Sequence, residues 1–164
     1  QTRVYSRSGL SEALKRQPQS ATQQLTVMLL DIDGFKRVND SWGHECGDCV
    51  LTQFAQRVRD LVGEQGLVAR VGGEEFAVAM LSATPREGEL LAEKIRQGVA
   101  AQTFVWGPHK IKLTLSLGLE CRPLSNGRIT ELFNQLLMAA DDYLINAKKA
   151  GRNRICTPTL AENR

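Results

Sequence analysis

Residues 25–30, LTVMLL, form an unbroken apolar run of strand length that ends abruptly in the acidic triplet DID at 31–33. A strand that is apolar at every position needs cover on both faces, so this run predicts a central strand with further elements packed above and below it. The C-terminal end of that strand is marked by acid. The chain is 164 residues long, enough for one domain with a substantial core, and 42% hydrophobic with 24% charged residues, which excludes collagen-like, disordered and coiled-coil classes. No apolar run approaches the roughly 20 residues of a membrane span.

The rest of the chain supplies the cover. Leu10 and Leu14, behind Ser8 as a cap, mark a short helix over 9–16. A polar, glycine-punctuated stretch after Asp31 holds a short helix around 35–38. Val50, Leu51, Phe54, Val58, Leu61 and Val62 define the apolar face of a helix over 47–62. Strand-like runs at 67–71 and 76–80 flank Gly72 and Gly73, a dipeptide suited to the positive φ angles of a tight hairpin. Pro85 opens a helix to about 101; 104–106 and 110–120 read as strands paired around Gly107 and Pro108. A loop over 122–128, a long helix over 129–150, a closing strand within 154–157 and a tail over 159–164 complete the chain. The interleaving predicts an α+β fold, an α/β sandwich with one mixed sheet of about five main strands flanked by helices.

The chemistry concentrates in two acidic clusters on turns distant in sequence, Asp31 with Asp33 and Glu74 with Glu75. A single acid beside a turn is ordinarily solvated surface. If the two strands are neighbours, however, these carboxylates converge, and an oxygen-only group of acids that cannot neutralise one another wants a cation; magnesium suits it, completing its shell with phosphate and water. Lys36, Arg70, Lys148 and Arg152 supply positive charge. The i, i+4 spacing of Lys148 and Arg152 at the end of the last helix would put both on one helical face as a clamp for a polyphosphate, while cations there also suit the helix dipole, with Gly151 as cap. Cys46 and Cys49 form a C-x-x-C two residues after His44, but no further ligand pattern completes a zinc site, so they read as reduced thiols at the start of a helix. Net charge is +3, from 21 basic and 18 acidic residues, and aromatics make up only 5%, so a nucleic-acid surface is not indicated.

DIDGFKRVND, GHECGD, RVGGEEF, TLSLGL and AKKAGRN, in this order, resemble the signature of the GGDEF family, the diguanylate cyclase catalytic domains. The resemblance covers essentially the whole chain, including TRVYSRSGL, where Ser6 stands in place of a usual Asn. It implies a central five-stranded sheet flanked by helices, similar to nucleotidyl cyclase catalytic and polymerase palm domains. It also implies condensation of two GTP into cyclic di-GMP with release of two pyrophosphates, by metal-assisted attack of a ribose 3′-hydroxyl on an α-phosphate. Asp31, Glu74 and the backbone carbonyl of Ile32 would hold two Mg2+ per site, with Mn2+ as an alternative. Glu74, Glu75 and Lys36 would serve catalysis, Glu75 in a lesser role; Lys36, Lys148 and Arg152 would grip phosphates, with Arg70 nearby. Gly72 and Gly73 would let the backbone approach the nucleotide.

Asn39 and Asp48 match the positions that read guanine, where a carboxylate accepts from the ring NH and exocyclic amine that adenine lacks as a pair; their ordinary alternatives are a turn residue and a helix N-cap. The two-fold product implies a homodimer with the site split across it. A chain that begins at Gln1 is expected to be a piece of a longer one, with residues 1–158 as the catalytic domain and an upstream sensory or dimerisation region. The expected location is cytoplasmic, with a membrane anchor elsewhere in the full chain as an alternative. The competing functional reading is a silent GTP-binding regulatory module. Ile145 stands where the last helix usually carries Tyr. More consequentially, the product-binding R-x-x-D of many relatives is replaced by Gly63, Glu64, Gln65 and Gly66. Calorimetric titration with cyclic di-GMP is therefore expected to show no tight binding at 63–66; a submicromolar dissociation constant mapped to those residues would overturn this.

Overall fold

The computed structural model describes residues 3–124 and 128–158; the expected tail over 159–164 and part of the 122–128 loop lie outside them. In chain order the elements are β1 (Val4–Ser6), α1 (Arg7–Arg16), β2 (Gln24–Ile32), α2 (Phe35–Trp42), α3 (His44–Val62), β3 (Leu67–Arg70), β4 (Glu75–Ser82), α4 (Pro85–Ala101), β5 (Phe104–Trp106), β6 (His109–Ile111), β7 (Leu115–Pro123), α5 (Ile129–Lys149) and β8 (Ile155–Cys156). Among the described residues six strands form one mixed sheet in the order β1-β3-β4-β2-β7-β8. The fold is α+β, as expected, but with six strands rather than five. The edge strands are short, three and two residues, and pair in parallel with β3 and β7; β8 is the closing strand expected within 154–157, whereas the sequence pattern marks no strand at β1.

The apolar run is the middle of the sheet. β2 pairs antiparallel with β4 on one side and β7 on the other, and it is buried from Leu25 to Ile32. Because side chains alternate along a strand, Met28, Leu30 and Ile32 pack with α3 and α4 in one core, and Leu25, Val27 and Leu29 pack with α1 and α5 in the other. The same alternation sends Asp31 to the α5 side.

Local signals explain several boundaries. A capping box of Thr84 and Glu87, with Pro85 in the first turn, starts α4. For α1 the cap is Ser6, whose Oγ accepts from Gly9 N at 3.1 Å, not Ser8 as expected. The expected strand over 110–120 divides: β6 pairs only with β5 in a two-stranded ribbon, and β7 begins four residues later in the main sheet. Gly72 and Gly73 do occupy the β3–β4 turn, closed by Val71 N and Gly72 N donating to Glu75 O, but neither has the positive φ expected of it.

One glycine of the TLSLGL stretch fixes the position of the longest helix. A Cβ on Gly118 would stand 2.1 Å from Ala140 O and 2.2 Å from Leu144 N, so the α5 backbone lies directly on β7 there. Gly118→Ala is expected to destabilise the fold by about 3 kcal/mol, as overpacking against immovable backbone does, and to displace α5. Denaturant unfolding measures the loss; an unchanged midpoint would refute the close docking.

Candidate active site

Register on the central strand assembles the acids. Asp31 lies opposite Glu75 on β4 and opposite Ser116 on β7, and Glu74 precedes β4 at the turn. Asp31 is 3% exposed. Burial pushes its carboxyl above the ordinary carboxylate range, against the pull of Lys148, whose Nζ donates to Oδ2. The other oxygen, Oδ1, is buried without a hydrogen-bond partner. Glu74 and Glu75 are likewise pushed up, first by burial and then by the charge of Asp31; Asp141 adds to the effect on Glu75. The two clusters therefore converge at one end of the sheet, and the acids destabilise one another's charge.

A divalent cation fits this donor set. The groups are all oxygens, two carboxylates and the Ile32 carbonyl suffice for an ion that keeps phosphate and water ligands, and the orphaned Oδ1 of Asp31 is an acceptor with nothing to accept. Among the described residues no three His, Cys, Asp or Glu side chains form a ready-made cage; His44, Cys46 and Cys49 all lie in α3.

Asp33, expected in the same acidic group, has a different occupation. Its oxygens accept from Thr114 Oγ1 at 2.6 Å, Ser116 Oγ at 2.7 Å and Asn153 N at 2.9 Å. Only its charge reaches Asp31, reinforcing the upward shift there.

The basic groups are dispersed by the fold. Lys148 is on the last turn of α5 and committed to Asp31. Arg152 does not share a helical face with it: α5 ends at Lys149, and Arg152 lies beyond, at φ 63°. The i, i+4 expectation fails because Gly151, at φ 125°, turns the chain off the helix axis before Arg152 is reached. The Lys36 side chain is 91% exposed, with Asp40 one turn on at 3.7 Å. Arg70 bends over the glycine turn, donating to the carbonyls of Gly72 and Gly73. A Cβ on Gly73 would meet nothing within 4 Å, so this backbone faces open space.

Asn39 and Asp48 lie on either side of the α2–α3 junction. Both ordinary alternatives fall away, since Asn39 is inside α2 and Asp48 is five residues past Gly43, the N-cap of α3. A Cβ on Gly47 would stand 1.9 Å from Asn39 Oδ1, so that amide lies against the residue preceding Asp48. Asp48 lines a cavity of about 370 Å³ with Val4, Leu51, Arg59, Arg70 and Phe76. The lining mixes apolar side chains with the Asp48 carboxylate and two arginines. Arg59 is a lining residue that the sequence reading missed; its position three helical turns after Asp48 was the available signal.

Known proteins resemble this chain over nearly its whole length. The family model described as diguanylate cyclase, GGDEF domain, matches residues 1–154. The chain is 53% identical over 161 residues to the probable diguanylate cyclase DgcF of Escherichia coli strain K12, covering 98% of this chain and 51% of that protein, so it spans about half of that relative's length. It superposes with TM-score 0.80 and 28% identity on the GGDEF domain of YfiN (TpbB) from Pseudomonas aeruginosa, covering 96% of this chain and 98% of that one. With the GGDEF domain of DgcB from Caulobacter crescentus, determined in complex with c-di-GMP, the TM-score is 0.79 at 26% identity, covering 95% of this chain and 89% of that one. With the acids of RVGGEEF and DIDGF gathered at one end of a six-stranded sheet and the family model matched almost from end to end, the chain belongs to the GGDEF domain family.

Proposed function

We propose that this chain is a diguanylate cyclase domain that condenses two molecules of GTP into cyclic di-GMP with loss of two pyrophosphates. The observation that carries the reading is the convergence of Asp31, Glu74 and Glu75, with one buried carboxylate oxygen left unpartnered. When bound by Asp31, Glu74 and the Ile32 carbonyl, Mg2+ supplies Lewis acidity at the α-phosphate, a lowered pKa for the attacking hydroxyl and charge for the departing pyrophosphate.

The chain's own residues do the remainder. Asp48, lining the cavity, accepts from the guanine ring NH and amine, with Asn39 as the second guanine-reading residue. Adenine would leave that carboxylate unpaired, which is a strong ground for rejection. Gly72 and Gly73 allow the backbone close to the nucleotide, and Lys36, Lys148 and Arg152 hold the phosphates. Lys148 has a second duty, since its ammonium partners Asp31 and so favours the ionised form of the buried carboxylate against the effect of burial. Glu75, facing Asp31 across the ladder, raises the local negative potential.

Two GTP molecules must meet head to tail, so the working unit is a homodimer in which each domain presents one substrate. A region outside this chain that holds two copies together would raise their effective concentration. No helix among the described residues is long and apolar enough to cross a membrane.

Incubation with GTP and Mg2+ is expected to yield cyclic di-GMP, at a rate per enzyme that rises with enzyme concentration. Glu74→Ala should lower turnover at least about a hundredfold, as loss of a major electrostatic stabiliser does. A wild-type chain that binds GTP and turns nothing over would favour the silent regulatory module instead; full activity in Glu74→Ala would remove the metal assignment.

The raised acids also fix a sign for stability. A carboxylate whose folded pKa lies above its unfolded value takes up its proton first in the folded chain, so its ionised form weighs against folding at neutral pH and protonation relieves it. In metal-free buffer Glu74→Gln is expected to raise the thermal midpoint at pH 7. The advantage should shrink as pH falls through the folded pKa of Glu74, where the wild-type side chain becomes neutral too. A variant less stable than wild type at pH 7 would contradict this.

A further inference from the structure

Three successive residues after α5 have positive φ: Gly151 at 125°, Arg152 at 63° and Asn153 at 47°. For a residue with a side chain this conformation is unfavourable and persists only where the surroundings hold it, most often at a functional site. Asn adopts it with local help; Arg has no such aid. Asn153 is held from two sides. Its backbone N–H donates to Asp33 Oδ2 at 2.9 Å, and its side-chain oxygen accepts from Arg96 Nη1 at 2.8 Å. Arg96 is itself steadied by Glu93, to which its Nε donates at 2.9 Å.

Asp33 is equally constrained. Thr114 and Ser116 bind its two oxygens from the start of β7, and its own N–H donates to Thr114 O at 2.9 Å. It stands two residues after Asp31, just beyond the end of β2. The strand that ends in the buried Asp31 carboxylate therefore leads directly into the hook on which the Arg152 turn hangs.

We propose that Asp33 is a positioning residue: through the Asn153 amide it fixes Arg152 at a set distance from Asp31, so that the guanidinium meets the phosphates of a bound nucleoside triphosphate. This rests on the reading of Arg152 as a phosphate ligand given above. Asp33 touches no substrate; its carboxylate acts by aiming another side chain, and a displacement of about 1 Å in such a group can cost a hundredfold.

The test is a double-mutant cycle on nucleotide affinity. Calorimetry with a non-hydrolysable GTP analogue and Mg2+ would compare wild type, Asp33→Asn, Arg152→Ala and the double variant, with GMP as a second probe and amide hydrogen exchange of Asn153 as a nucleotide-free readout. Asp33→Asn is expected to expose the Asn153 amide to exchange and to weaken the triphosphate by roughly tenfold or more, with a smaller effect on GMP. In the Arg152→Ala background it should cause no further loss. If Asp33→Asn does not fold, Arg96→Gln cuts the other tie, with a smaller loss that also vanishes in Arg152→Ala. Equal losses in both backgrounds would show a merely structural role and overturn the proposal, as would unchanged affinity in Asp33→Asn while wild type binds. A wild-type chain that binds no triphosphate would overturn the parent reading instead.

Discussion

The ion pair between Asp31 at the end of β2 and Lys148 on the last turn of α5 joins the most buried strand of the sheet to its longest helix. A carboxylate so deep would by itself neutralise or unfold its surroundings, and removal of one partner from such a pair typically costs about 3–5 kcal/mol. That is a large part of the roughly 5–15 kcal/mol that holds a domain together. The pair forms because several independent features agree. Alternation along β2 sends Asp31 to the α5 face, and Gly118 lets α5 lie against β7 without an intervening side chain.

The acid cluster is held together by the fold against its own electrostatics. Glu74 and Glu75 are pushed up first by burial and then by the charge of Asp31, which lies beside them because β2 and β4 are adjacent and antiparallel. Packing of Phe76, Val78 and Met80 on one face, and of Ala77 and Ala79 on the other, leaves the strands no alternative register. Unfavourable charge and unfavourable backbone angles both accumulate at this end of the sheet, the first at Asp31, Glu74 and Glu75, the second at Arg152 and Asn153. Both are carried by a core distributed over two faces of the sheet.

Much of this was readable along the chain because its cause is local. The apolar run at 25–30 demanded a central strand, Pro85 marked the start of α4, and the two acidic clusters pointed to one cation site once their strands were neighbours. The failures have a common character. Lys148 and Arg152 share a helical face only if the helix continues, but α5 ends at Lys149 and Gly151 leads the chain into a turn that Asp33 and Arg96 hold at Asn153, from 120 and 57 residues away. Asp33 reads as part of one acidic group with Asp31 because it is an acid two residues from another. Its hydroxyl partners come from Thr114 and Ser116, whose spacing marks one strand face but does not say which acid will meet it. The positive φ expected at Gly72 and Gly73 was an inference from residue type, whereas this turn is closed by Val71 and Gly72 donating to Glu75 O.

The sequence by itself determined the sandwich, the central strand, the two acidic turns and the ordered motifs of the family, since each follows from side-chain character over a few neighbouring residues. Only the tertiary structure decided what each charge does: that Lys148 pairs with Asp31, that Asp33 holds a turn, and that Asp48 lines a cavity instead of capping a helix. The reason is physical. An isolated charge has a type but no partner, and burial, register and the close approach of backbones separated by a hundred residues assign the partner.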